Sequence, residues 1–227
     1  MENNFHSRQT GLIDPAKLTQ KIFIVGAGSI GGWTALGLLK LGCKDVTVAD
    51  FDVVEEQNIG PQLYSPGDIG KKKVKALAVN LLRITGEMIK ENESRINSKS
   101  DLSHYDIVIA GVDTIKARKG ILTAVVAARK KGKNIMLIDG RMEANEIQIY
   151  SVAMDETGIE EYKKTLFDEK SATPIACSMR SVVYNCLIIS GLITDIVAHV
   201  ANGQKIPQNL EVDLMNFELH GGLLNGN

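Results

Sequence analysis

KIFIVGAGSIGG, Lys21–Gly32, decides the fold. The run KIFIV, apolar after Lys21 and carrying β-branched Ile and Val, reads as a buried strand. Three glycines follow at once, Gly26, Gly28 and Gly31, in the spacing G-x-G-x-x-G. An apolar helical periodicity then runs through Ala35, Leu36, Leu38, Leu39 and Leu41, and a second strand, DVTVAD, ends in Asp50. Strand, glycine turn, helix, strand and terminal acid make a nucleotide-binding half-domain. Gly26 allows the tight turn and Gly28 lets backbone amides approach a phosphate. Gly31 brings the helix against the strand, so that the helix N-terminus faces the anion. Asp50 is placed to accept from a ribose hydroxyl.

Those residues alone say only nucleotide. The next segment, DFDVVEEQNIGPQLYSPGDIGKKK from Asp50 to Lys73, narrows the reading. Here the chain resembles the ThiF/MoeB/HesA family, whose fold is shared by the adenylation domains of ubiquitin-activating enzymes. That family's pattern runs glycine loop, strand, D-x-D-x-V, Asn, Gln and G-x-x-K. This chain has Asp50, Asp52, Val54, Asn58, Gln62, Gly70 and Lys73 in that order.

Outward from this stretch the chain alternates strands and helices. A polar arm covers residues 1–13, and Asp14-Pro15 opens a short helix reaching about Thr19. Phe51–Ile69 reads as a long, Pro- and Gly-punctuated loop, of a length that is usually functional or disordered, and a helix follows from Gly70 to about Arg83. Residues 85–104 are polar, with an edge strand around Met88–Ile96. YDIVIAGVD, Tyr105–Asp113, reads as a buried strand ending in an acid. A helix over Thr114–Lys131 and strands at Asn134–Gly140 and Glu146–Val152 come next. Asp155–Lys170 is acidic and amphipathic, and Val182–Val200 reads as a core helix. Ala201–Asn227 reads as a Gly- and Asn-rich, partly flexible tail around one strand-like piece, Leu210–Leu219, with Gly221-Gly222 in the flexible part. The expected fold is therefore α/β: a Rossmann-like, mostly parallel sheet with helices on both faces and antiparallel strands at the C-terminal end.

At 227 residues the chain is expected to be one domain of this type, 1–227. A chain of this size buries roughly 70% of its unfolded surface. The net charge of −1, from 26 basic and 27 acidic residues, gives no electrostatic case for nucleic acid or a membrane as main partner. No uninterrupted 18-residue apolar run occurs and the first residues lack a hydrophobic leader, so a cytoplasmic location is expected. Cys43, Cys177 and Cys186 are odd in number and widely spaced, which suggests reduced thiols. Without a C-x-x-C pair a cysteine zinc site is not expected.

The resemblance implies a chemistry. Family members activate a carboxylate by attack on the α-phosphorus of ATP, which gives an acyl-adenylate and pyrophosphate. The implied substrate is the C-terminal carboxylate of a small ubiquitin-like or sulfur-carrier protein ending in Gly-Gly. The resemblance makes Lys73 a phosphate contact and Asp113 the ligand of Mg2+, with Asp52 a weaker candidate. Mg2+ takes one or two carboxylates alongside phosphate oxygens and water, so one protein ligand suffices. Asn58 and Gln62 are implied nucleotide contacts, and Arg118 a brace of the strand–helix turn. Arg8, in the pair Arg8-Gln9, is implied to reach ATP in a partner subunit, hence a homodimer. Cys177 precedes the last core helix, where several members carry a cysteine that links covalently to the activated carrier. A helix N-terminus there would lower a thiol pKa. The other reading of Cys177 is a small residue capping a buried helix.

Pro61 stands where the family has an arginine, so one phosphate contact is missing; Arg8, Arg141 and Arg180 are candidates to replace it. Two alternatives stay open. A non-catalytic partner subunit would tolerate Pro61. An NAD-dependent oxidoreductase shares the glycine turn and Asp50, but it leaves Asn58, Lys73 and Asp113 unexplained.

Overall fold

The computed structural model describes residues 5–166 and 182–223. Cys177 and Arg180 lie outside the described residues. KIFIV forms β1 (Lys21–Val25) and its side chains alternate between two cores. Ile22 and Ile24 face one layer of helices, and Phe23 and Val25 face the other. Burial on both faces is why the run is apolar throughout instead of alternating. The elements that follow are α1 (Gly31–Leu41), β2 (Asp45–Ala49), α2 (Lys73–Thr85), β3 (Lys90–Asn92), β4 (Ile107–Ala110) and α3 (Ile115–Lys130). After them come β5 (Met136–Glu143), β6 (Glu146–Val152), α4 (Glu156–Lys164), α5 (Val183–Ala201), β7 (Pro207–Asp213) and β8 (Glu218–Leu223).

One sheet of order β3-β2-β1-β4-β5-β6-β7-β8 runs through the molecule. The first five strands in that order are parallel, and β6, β7 and β8 are antiparallel. The sheet is thus Rossmann-like, as the alternation of elements predicted. On one face Leu38 of α1, Leu77 of α2, and Ile189 and Ile193 of α5 pack on Ile22 and Ile24. On the other, Ile121 and Val125 of α3 and Tyr162 of α4 pack on Phe23 and Val25. By length and composition α5 could cross a membrane; in this fold it lies against α1 and β5. Cys43 and Cys186 are core residues, at 1% and 0% exposure.

Three elements differ from expectation. The short helix after Asp14 is a single 3-10 turn, Pro15–Lys17, capped by the Asp14 side chain on the Ala16 amide. Strand β4 stops at Ala110, so Asp113 does not end a strand but lies in the turn leading to α3. Leu210–Leu219 is not one strand but straddles a hairpin. Its turn is set by Asp213, whose carboxylate accepts from Met215 N, Asn216 N and Asn216 Nδ2. In β8, Gly221 and Gly222 pair with Leu210 and Asn209. Asp and Asn fold backbone onto side chain in this way, a signal that composition alone masks.

Candidate functional site

Strands β1 and β4 are neighbours, while α1 and α3 leave them for opposite faces. In such sheets ligands bind in the crevice beyond the strand ends at this switch. Two glycines build it by close approach. Gly26 has φ +100°, and a Cβ there would lie 2.5 Å from the Gly111 carbonyl oxygen beyond β4. A Cβ on Gly31 would sit 1.8 Å from Gly26 O. Gly28 is different. The nearest atom to a Cβ there is Gln62 Nε2 at 3.8 Å. Among the described residues nothing crowds a Cβ at 28, so the space above it is open. Helix α1 starts there, at Ile30, without a side-chain cap, which leaves its N-terminal dipole end toward that space.

The crossing segment between β2 and α2 is tied to this loop by a chain of short contacts. Asp50 Oδ2 accepts from Ala27 N at 2.7 Å, and Oδ1 accepts from Asp52 N at 2.8 Å. Lys73 N donates to Asp52 O at 3.0 Å, and Lys73 Nζ stands 3.7 Å from Asp52 Oδ2. The Lys73 side chain is only 12% exposed. Tyr64 closes the loop: its hydroxyl donates to Ala27 O at 2.6 Å and lies 3.3 Å from Lys73 O. Burial and the nearby Asp50 and Asp68 charges push that phenol far above its ordinary range, so it stays a donor. Gln62 faces Gly28, and its Oε1 is buried without a hydrogen-bond partner among the described residues. An orphaned buried oxygen is costly unless something completes it.

Neither Tyr64 nor Asp68 was singled out from the sequence. Asp68 is 5% exposed and accepts from Ser65 N, Ser65 Oγ, Asn80 Nδ2 and Lys71 Nζ. Burial alone would raise its pKa, but the bonds from Asn80, Ser65 and Lys71 hold the carboxyl well below the usual range. The sequence signal for Asp68 was S-P-G-D, Ser65–Asp68, a turn that Ser65 caps and Pro66 opens.

Other expected site residues fall into two groups. Asp113 is exposed in the β4–α3 turn with no side-chain partner among the described residues, so its oxygens are open to a cation. Arg118 is buried on α3, one turn after Thr114. It braces the middle of β5 through Nε to Asp139 Oδ1 at 2.9 Å and Nη2 to Gly140 O at 3.2 Å. Asn58 is buried, with Oδ1 accepting from Glu55 N. Arg141 is committed elsewhere: Nε meets Asp139 Oδ2 at 2.6 Å, and its Nη atoms bond Thr165 at the end of α4. Pro61 O accepts from Trp33 Nε1 at 2.9 Å, so this position is a brace. Arg8 is exposed and not brought to the site of its own chain. Gln9 beside it bonds Leu41 O, and His6 packs near Gly42, at the far end of α1. With 11 residues in α1, that end is roughly 16 Å from the glycine loop at 1.5 Å per residue.

Glycine turn, strand-end acid and a largely buried lysine lie together at the ends of the parallel strands of an α/β sheet. The profile of the ThiF family matches residues 8–222, and the chain belongs to that family. It is 32% identical over 135 residues to the NEDD8-activating enzyme E1 catalytic subunit of Dictyostelium discoideum, covering 54% of this chain and 30% of that protein. It is 28% identical over 115 residues to a probable adenylyltransferase/sulfurtransferase MoeZ of Mycobacterium tuberculosis, covering 48% of this chain and 29% of that protein. The chain thus spans less than a third of the length of these two relatives. Its fold recurs in the crystal structure of E. coli MccB with ATP, with a TM-score of 0.72 at 17% identity over 97% of this chain and 71% of that one.

Proposed function

We propose that the chain activates a carboxylate with ATP. The carboxylate oxygen attacks the α-phosphorus, a new C–O–P linkage forms, and the bond to the β,γ-diphosphate breaks, releasing pyrophosphate. The substrate we assign is the C-terminal carboxylate of a small ubiquitin-like or sulfur-carrier protein ending in Gly-Gly. Family membership and the names of the relatives support that class. The observation that carries the reading is the chain of contacts from Ala27 through Asp50 and Asp52 to Lys73, drawn around an uncrowded Gly28. It sets a ribose acceptor, open backbone and an ammonium group around one space.

The residues divide the work by position. Gly28 and the start of α1 receive phosphate oxygens, while Lys73 neutralises charge that grows on them. Lys73 exchanges its 3.7 Å partner Asp52 for phosphate. Asp50 orients the ribose, and Gln62 Oε1, unpartnered among the described residues, gains a donor from the nucleotide. Mg2+ fits the open carboxylate of Asp113 and would supply further neutralisation of the triphosphate there. Holding reactants in line is most of what such a displacement needs. We assign to Arg8 a contact with ATP in the site of a second copy, because it cannot reach its own. We further assign to the Cys177 thiol attack on the acyl carbon of the adenylate, which releases AMP and leaves a thioester.

The test is exchange of labelled pyrophosphate into ATP in the presence of candidate carriers. Exchange should require Mg2+ and collapse in Asp113→Ala; exchange that survives this change removes Asp113 as metal ligand. A thiol-sensitive carrier adduct should vanish in Cys177→Ala while exchange persists. If the unaltered chain gives no exchange with any carrier, the non-catalytic partner reading that Pro61 permits takes its place.

A further inference from the structure

We infer that Phe51 and Arg95 form a clamp for the nucleotide base, with the Arg95 guanidinium stacking on a purine. The inference rests on the adenylating reading above and adds to it the residues that hold the base.

The position follows from strand order. Phosphate is received at the end of β1 by Gly28, and ribose at the end of β2 by Asp50. The sheet continues β1, β2, β3, so a nucleotide extended along that line places its base beside the ends of β2 and β3. Two side chains stand there. Phe51 directly follows Asp50 and is 38% exposed. Arg95, three residues beyond β3, lies with Cζ 3.8 Å from the centre of the Phe51 ring.

This pair is held in place from both sides. Asp50 N donates to Asn92 O at 3.0 Å, joining the two strand ends. Lys72 Nζ donates to Phe51 O at 2.7 Å. Glu93 pairs with Lys75 of α2 at 3.0 Å, and Ile96 packs into the core under α3. The backbone on either side of Arg95 is therefore anchored, while its guanidinium remains at the surface. Phe51 covers one face of that guanidinium. The other face is a flat, weakly hydrated cation of the size of a base ring, and such groups stack on π-systems. Stacking contacts read π-area more than edge atoms, so the clamp favours purine over pyrimidine nucleotides.

Calorimetric titration of the full chain with Mg·ATP and with Mg·tripolyphosphate tests it. Arg95→Ala should weaken ATP about five- to thirtyfold and leave tripolyphosphate within about twofold. Phe51→Leu, which frees the guanidinium, should weaken ATP by a smaller factor in the same direction. Both side chains are partly solvent-facing, so unchanged thermal unfolding should accompany these losses. ATP binding that ignores Arg95→Ala overturns the clamp, and so does an equal loss for tripolyphosphate, which would make Arg95 a phosphate contact. An unaltered chain that binds neither ligand overturns the adenylating reading itself, and the clamp with it.

Discussion

Replacing Gly28 and Gly31 by alanine, one at a time, separates the requirements of the fold from those of the ligand. A Cβ on Gly31 falls 1.8 Å from Gly26 O and 2.9 Å from Ile24 Cγ2. Neither the turn backbone nor a β1 side chain can give way without moving the strand. Overpacking of this kind costs about 3 kcal/mol or more. A Cβ on Gly28 meets nothing nearer than 3.8 Å, and its φ lies outside the left-handed region. Alanine at such a position stabilises by about 0.4–1 kcal/mol, by restricting the unfolded chain. In a chain of this length that is a rise in Tm of about 1–4 °C. The same methyl group, however, fills the space that the proposed function assigns to phosphate. Each charge-assisted bond lost there is worth about 1.5–3 kcal/mol, a weakening of ATP binding of roughly 10- to 150-fold. Thermal unfolding by circular dichroism and calorimetric ATP titration check the pair. Gly28→Ala should melt slightly higher and bind ATP poorly, while Gly31→Ala should lose stability first. A Gly28→Ala protein with undiminished ATP affinity would refute the assignment of that space to phosphate, and one that fails to fold would refute the open geometry.

Three further outcomes are expected. Asp139 is 0% exposed and accepts from Arg118, Arg141 and Tyr162; Asp139→Asn leaves two guanidiniums short of a counter-charge and should cost about 3–5 kcal/mol in urea unfolding, so a change below about 1 kcal/mol would show the pairing to be dispensable. Because the Asp68 pKa is depressed by folding, its contribution is present at neutral pH and is lost as pH falls below about 4; Asp68→Asn should abolish that part of the pH dependence of the urea midpoint, and an unchanged slope contradicts the assignment. If Arg8 acts on a second copy, Arg8→Ala and Lys73→Ala chains that are each inactive should regain about a quarter of full pyrophosphate exchange when mixed, since half of a randomly mixed two-fold dimer population carries one intact site; no recovery on mixing counts against action across an interface.

The core of the site was legible because its requirements are local. A buried strand needs an apolar run, a tight turn needs Gly26, and α1 must abut β1 at Gly31; all three are written within eleven residues. Asp50 could be found from its place at the end of the second strand. What could not be read depends on groups far apart in the chain. Tyr64 matters because it meets Ala27, 37 positions away, and no periodicity announces that. Asp113 was expected at a strand end because VIAGVD is apolar up to the acid, yet Gly111 must meet Gly26 and Gly31, which ends the ladder early. Arg141 looked available as a phosphate ligand until Asp139 and Thr165 were seen to hold it. The second hairpin strand was hidden by glycines that usually mark loops.

The single Tyr64 hydroxyl proton goes to the Ala27 carbonyl and is shared at longer range, 3.3 Å, with the Lys73 carbonyl, so one group links two backbone segments beside the crevice. Neither segment can open without breaking that tether, so they should exchange amide hydrogens as one cooperative unit. A nucleotide that steadies the turn would thereby slow exchange in the first turn of α2 as well, giving the crevice a single all-or-none response to occupancy.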